Sequence, residues 1–191
     1  MKIRTDFVSN SSSSSFIVIG KKNFQDHDFY GQRYLLPSEN GNQQFDWGFV
    51  KYTDFWDKLN FCAIILQGLK EAKNEKYWYD ITEDMPEWQK RYKLDGQKWI
   101  ERHDGMLQML KDVCREKFNM DIDVKPWEDG VWIDHQSDVF ETPANGRMFE
   151  NKETLYNFLA SKDSFIKTGN DNDIPPKNWD KENDVQEQSF V

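Results

Sequence analysis

The chain has 191 residues, a net charge of −9, a hydrophobic share of 37% and an aromatic share of 15%. This length is sufficient for one domain with a buried core, and the acidic balance argues against non-specific nucleic-acid binding, which needs a basic surface. No stretch approaches the ~20 apolar residues of a membrane span, so no membrane association is expected. Cys62 and Cys114 lie among apolar residues, which favours buried, reduced thiols in a reducing compartment.

A serine-rich run near the N-terminus lies between two predicted strands. Residues 7–20 read FVSNSSSSSFIVIG, in which the apolar run 16–19 closed by Gly20 is typical of a buried strand. This strand is predicted over residues 15–20 and its partner over residues 2–8, with residues 9–15 as the loop between them. An alternative is that the serine hydroxyls and backbone N–H groups bind an anion. The loop is favoured, because residues 9–15 lack the glycines that let a backbone wrap a phosphate.

The next segments predict a loop and a hairpin. Residues 21–32 are polar with scattered aromatic residues, and His27 lies between Asp26 and Asp28. Consecutive side chains rarely converge on one ion, so a solvated loop is favoured over a metal site. Residues 33–37 and 43–50 flank an Asn-Gly pair, which is typical of a β-hairpin turn.

Two long helices follow. Apolar residues at helical spacing predict a central helix over residues 54–73, with Thr53 as its N-cap. Residues 84–93 predict a short helix and residues 96–118 a second long one, with His103 as a hydrogen-bonded core residue. The aromatic segment 77–95 is expected to pack on these helices rather than to stack nucleic-acid bases, because it lacks surrounding basic charge.

The C-terminal part returns to strands. Residues 121–126, 130–137 and 164–169 predict strands, and Asn151 caps a predicted helix over residues 152–161. The segment after residue 170 carries six acidic residues and two lysines, which predicts an acidic tail with little core contact.

Three polar insertions interrupt the predicted strands: the serine run, residues 134–137 and residues 169–172. If their strands share a sheet, these insertions meet at one end of it, which is a common place for sites. The candidate ligand-binding residues are Ser11, Ser12, Ser13, Ser137 and Asn170. A catalytic interpretation adds His135 as the base and Asp171 as the group that orients it. Ser137 lies ~6.5 Å along the strand from His135, too far for a direct pair, so the nucleophile would be a serine of residues 9–15. No spaced His/Cys pattern or nucleotide motif is present, so no metal and no cofactor are expected.

The N-terminal motif FVSNSSSSSFI, residues 7–17, resembles that of a group of uncharacterised bacterial and bacteriophage proteins. Some members of this group share a later DHQS-like and GNDN-like patch, here residues 134–137 and 169–172. The resemblance implies a bacterial or bacteriophage origin and no particular activity.

These patterns predict an α+β fold with a mostly antiparallel sheet from strands near both termini, covered on one face by two long helices. Residues 1–170 are expected to form one domain and residues 171–191 a poorly packed tail. We expect a small acidic cytoplasmic interaction protein, encoded by a phage, that binds a host or phage protein and is not an enzyme. The alternative is a small enzyme or anion- or nucleotide-binding domain with its site at the serine-rich loop, residues 134–137 and residues 170–172.

Overall fold

Helices and strands alternate irregularly along the chain, and the computed structural model describes them over residues 3–5, 13–45, 48–126, 132–133 and 146–170. The strands are β1 (Ile3–Thr5), β2 (Ser13–Ile19), β3 (Arg33–Leu36), β4 (Gln44–Phe45), β5 (Val50–Tyr52), β6 (Asp121–Val124), β7 (Trp132–Ile133) and β8 (Phe165–Asn170). The helices are α1 (Phe55–Asn74), α2 (Glu87–Phe118) and α3 (Lys152–Ala160), with short 3₁₀ turns at Lys76–Trp78 and Arg147–Phe149. The predicted α+β class is confirmed.

An antiparallel sheet joins the two ends of the described chain, in the strand order β1-β2-β8-β5. Its central pair runs from Ser13 opposite Asn170 to Val18 opposite Phe165. The prediction of a loop over residues 13–15 is therefore wrong, because this part of the serine run belongs to β2. Backbone pairing to β8 supplies the strand's hydrogen bonds whatever the side chains are, so three serines suffice to extend the apolar strand. Residues 9–12 lie outside the described residues.

The predicted hairpin does not form. β3 pairs with β6 and β4 pairs with β7, both in parallel, instead of with each other. The connection between β3 and β4 is bound to α1 by Asn60, whose side-chain amide donates to the carbonyl oxygens of Ser38 at 2.7 Å and Asn42 at 3.0 Å. The Asn60 side-chain oxygen accepts from the Ser38 N–H at 2.7 Å. A buried side chain from the helix thus takes the turn's backbone groups, and the two strands separate.

α2 is one helix where two were predicted. It continues through Gly96, against which the indole ring of Trp78 packs so closely that a Cβ there would lie 2.5 Å from Cζ3 of the ring. Glycine weakens a helix interior by ~1 kcal/mol relative to alanine, but here it makes room for a buried tryptophan. The helix then ends at Asn119, which adopts a left-handed conformation with φ 49°.

α1 is the central buried helix, as predicted. Its N-cap is Asp54 instead of Thr53: the Asp54 carboxylate accepts from the Trp56 N–H at 2.7 Å. α1 packs against α2 and α3, and α3 contacts β2 of the sheet. Cys62 and Cys114 are free and buried, as expected, and burial raises the pKa of both thiols, that of Cys114 to about 12. Within the described ranges, no helix has both the length and the apolar character needed to cross a membrane.

Candidate functional site

The structure describes only some residues of the three polar insertions that were predicted to form a site. Ser13 and Asn170 are directly opposite each other in the β2–β8 pair, so two of the three insertions meet at one end of the central strands. Ser11, Ser12 and Ser137 lie outside the described residues. The same is true of His135 and Asp171, the residues of the catalytic interpretation, and of the segment 171–191.

His103 is a structural residue, as predicted. It is buried on the inner face of α2, and its Nδ1 lies 2.8 Å from the Oδ1 atom of Asp104. The hydrogen bond with His103 and a second one from Lys73 lower the pKa of the Asp104 carboxyl. Among the described residues, no group of three His, Cys, Asp or Glu side chains is arranged to hold a metal ion.

The most distinctive exposed feature lies where α1 connects to α2. Most large apolar side chains of this segment face solvent, and Trp88 is 71% exposed. We call this set the aromatic surface; its members are Tyr77, Tyr79, Ile81, Trp88 and Leu94. The sequence predicted that the rings of this segment pack on the helices. This is correct for the buried Trp78 and for the partly buried Tyr92, and the Tyr77 ring also contacts Lys93 of α2. It is wrong for Tyr79 and Trp88, which are exposed. The groove over Gly96 accommodates one indole ring, and that ring is Trp78.

A buried lysine fixes the backbone beneath the aromatic surface. Lys93 in α2 is only 1% exposed, and its ammonium group donates to the carbonyl oxygens of Tyr77 and, at 2.8 Å, of Asp80. The same ammonium lies 3.8 Å from the centroid of the Tyr77 ring, a cation–π contact. Gln97 adds a hydrogen bond to the Trp78 carbonyl at 2.6 Å. The connection is therefore held in place on α2, so its exposed rings are pre-ordered.

Acidic side chains are concentrated just before α2, and the basic residues Lys90, Arg91 and Lys93 follow in the first turns of that helix. Residues 79–87 contain four acidic side chains and no basic one; the acidic residues are Asp80, Glu83, Asp84 and Glu87. The Thr82 hydroxyl donates to Asp84 and lowers the pKa of that carboxyl. Lys76 makes an ion pair with Asp80 at 3.6 Å, and both groups are more than half exposed, so this pair is weak. The stretch before α2 thus combines exposed apolar side chains with an excess of carboxylates.

Such an arrangement suits recognition better than covalent chemistry. Aromatic side chains bury a large area at low cost in conformational entropy, and surrounding carboxylates select positively charged partners. The acid-rich, aromatic composition of residues 77–88 was the available sequence signal, whereas the role of Lys93 depends on the tertiary structure. No family model, curated protein or solved structure matches this chain.

Proposed function

We propose that this protein is a non-enzymatic protein-binding module whose aromatic surface docks a basic amphipathic segment of a partner protein. The observation that carries the proposal is the exposure of five large apolar side chains, three on the connection that Lys93 holds on α2 and two in the first turns of α2 itself. Contiguous exposed apolar area bordered by polar residues is typical of interaction sites. Tryptophan and tyrosine are also the residues most often found to dominate binding energy at interfaces.

The acidic residues near the aromatic surface favour one class of binding partner over two others. The segment 171–191 of the same chain carries six acids against two lysines, so it repels a surface bordered by Asp80, Glu83, Asp84 and Glu87. A second copy of the chain would bring the same acidic side chains together across a two-fold axis. A partner segment rich in Lys or Arg instead gains ion pairs and cation–π contacts with the exposed rings. The favoured partner is therefore a different protein that presents a basic, partly apolar segment.

A peptide-display selection tests this proposal. The immobilised wild-type protein is expected to enrich peptides that combine Lys or Arg with apolar residues, and Trp88→Ser is expected to remove most of that binding. Leu35→Ser is the matched control, because Leu35 is a large apolar residue, 56% exposed, on β3. Enriched peptides that are acidic, or that bind Trp88→Ser as well as the wild type, would contradict the proposal.

The anion- or nucleotide-binding alternative retains one supporting observation, the pairing of Ser13 with Asn170. Its test is the melting temperature in phosphate or ATP of the wild type and of Ser11→Ala, Ser12→Ala and Ser13→Ala variants. Stabilisation of the wild type that the variants lose would favour this alternative. An unchanged melting temperature in all of them would exclude the serine run as such a site.

Three further predictions from the sequence, on location, origin and sheet coverage, belong to this proposal. We expect the protein to act in the cytoplasm, to be encoded by a phage, and to bind a host or phage protein. The coverage of one sheet face by α1 and α2 also stays a prediction. In the described part of the chain, α3 contacts β2 of the four-stranded sheet, and α1 contacts β3, β6 and β7 of the two parallel pairs.

A further inference from the structure

A second feature, separate from the aromatic surface, is a pocket of about 470 Å³ formed by the loop that contains His27. This volume lies in the ordinary range for small-molecule sites, ~300–1,000 Å³. The loop is attached to two helices by backbone hydrogen bonds, from the Phe29 N–H to the Phe118 carbonyl at 3.0 Å and from the Gln25 N–H to the Ala160 carbonyl at 2.9 Å. Most residues of the loop are exposed, as the sequence predicts, and these two hydrogen bonds attach its backbone to the ends of α2 and α3.

Aromatic rings form one side of the pocket. Phe118 at the end of α2 stacks on Tyr156 of α3, with ring centroids 5.8 Å apart. The His27 ring lies against Phe55, with centroids 4.5 Å apart, and its buried Nε2 has no hydrogen-bond partner within the described part of the chain. Burial and the nearby Lys58 ammonium lower the pKa of His27, so its imidazole is neutral at physiological pH. His27 therefore adds a flat face to the pocket and no positive charge.

The polar lining has an excess of negative charge. Asp26 and Asp28 both line the pocket, and the Asp28 carboxylate accepts hydrogen bonds from the Tyr30 N–H at 2.8 Å and the Asn119 side-chain amide at 3.0 Å. The pocket also lies at the C-terminal end of α2, which carries the negative pole of the helix dipole. Lys117 is the one basic residue in the lining, and its ammonium lies 5.8 Å from the centroid of the Tyr156 ring.

We propose that this pocket binds a small organic cation, an amine or guanidinium on a flat apolar frame. The ligand's cation replaces the Lys117 ammonium over Tyr156 and pairs with Asp26, while its frame lies along the aromatic side. The exposed Lys117 side chain is free to move into solvent when the ligand enters. The ligand's charge then neutralises one of the two carboxylates, as the Lys117 ammonium does before the ligand enters.

Three probes that share one ring and differ in charge test this assignment: tyramine, its neutral alcohol tyrosol, and 4-hydroxyphenylacetate. Binding to the full chain is measured by calorimetry and by NMR titration. Tyramine is expected to bind at least tenfold more tightly than tyrosol, and the anion is expected not to bind. The proposal is overturned if the anion binds more tightly than tyramine. It is also overturned if tyramine does not bind at concentrations up to about 10 mM.

Variants of exposed lining residues locate the site without endangering the fold. Asp26→Asn is expected to weaken tyramine binding about tenfold, whereas Lys117→Met is expected to strengthen it severalfold because it removes the competing cation. Glu150→Gln, an exposed carboxylate that does not line the pocket, is the control and should leave binding unchanged. Weaker binding in Lys117→Met, or equal losses in Asp26→Asn and Glu150→Gln, would show that the assignment is wrong.

Discussion

Lys58 makes a quantitative test of the core possible. It lies in α1, is only 2% exposed, and its ammonium donates to the carbonyl oxygen of Ser161, the C-cap of α3, at 3.0 Å. Burial lowers the pKa of Lys58 to about 8, although Asp54 acts in the opposite direction. Between pH 8 and the ordinary lysine value of 10.5, the unfolded chain therefore holds a proton that the folded chain has released. Stability that depends on Lys58 must rise with pH across this window.

The size of the effect follows from the two pKa values. Because the pKa of Lys58 falls from 10.5 to about 8 on folding, its contribution to the free energy of unfolding rises by ~2.5 kcal/mol between pH 7 and pH 10. Cys62 and Cys114 oppose this rise, because their pKa values are raised in the folded state and they lose protons more readily when unfolded. The wild-type curve alone is therefore ambiguous. The difference between the wild type and Lys58→Met removes the contribution of Cys114 and leaves that of Lys58 together with its electrostatic interaction with Cys62.

Urea unfolding at pH 7, 8, 9 and 10 under reducing conditions, followed by far-UV circular dichroism, measures this difference. The free energy of unfolding of the wild type minus that of Lys58→Met should increase steadily with pH. Lys70→Met, at an exposed position on the same helix, is the control and should show a constant difference. Curves for the wild type and Lys58→Met that stay parallel within ~0.5 kcal/mol, the usual range for surface substitutions, would refute the reasoning.

Three further predictions concern packing, and each has a direct assay. Gly96→Ala should destabilise the protein by ~1–3 kcal/mol in urea unfolding, because the added methyl group meets the Trp78 ring; an unchanged midpoint would mean that the ring can move aside. Asn60→Ala should cost ~1–3 kcal/mol in the same assay, since it leaves buried backbone groups of the β3–β4 connection without partners; a smaller loss would show that water replaces the amide. Cys62 and Cys114 should resist thiol-labelling reagents until denaturant is added, and rapid labelling of the native protein would contradict their burial.

Local signals in the sequence were sufficient where the fold depends on local interactions. Asn151 caps α3 as predicted, by accepting from the Thr154 N–H at 2.8 Å, and the apolar stripe of α1 locates its buried helix. The predictions failed where a side chain that is distant in the sequence determines the local structure. Asn60 binds the backbone of Ser38, which lies 22 residues before it in the chain. This contact separates two strands that the local turn preference would join.

The candidate surface shows the same limit. The sequence contains a cluster of aromatic residues at positions 77–92, but it does not tell which ring is buried. Trp78 is buried because Gly96, 18 residues later in the chain, leaves space for its ring on α2. The neighbouring Tyr77 and Tyr79 are then left at the surface, and their exposure is a consequence of tertiary packing.

Photo-crosslinking in native cells tests the central claim most directly. A photoreactive phenylalanine analogue replaces Trp88 in one variant and Leu35, the exposed control on β3, in another. The account predicts that position 88 captures a discrete partner protein through a peptide rich in Lys or Arg, and that position 35 captures none. Equal capture at both positions, or capture at position 88 of an acidic segment or of a second copy of this chain, would contradict it.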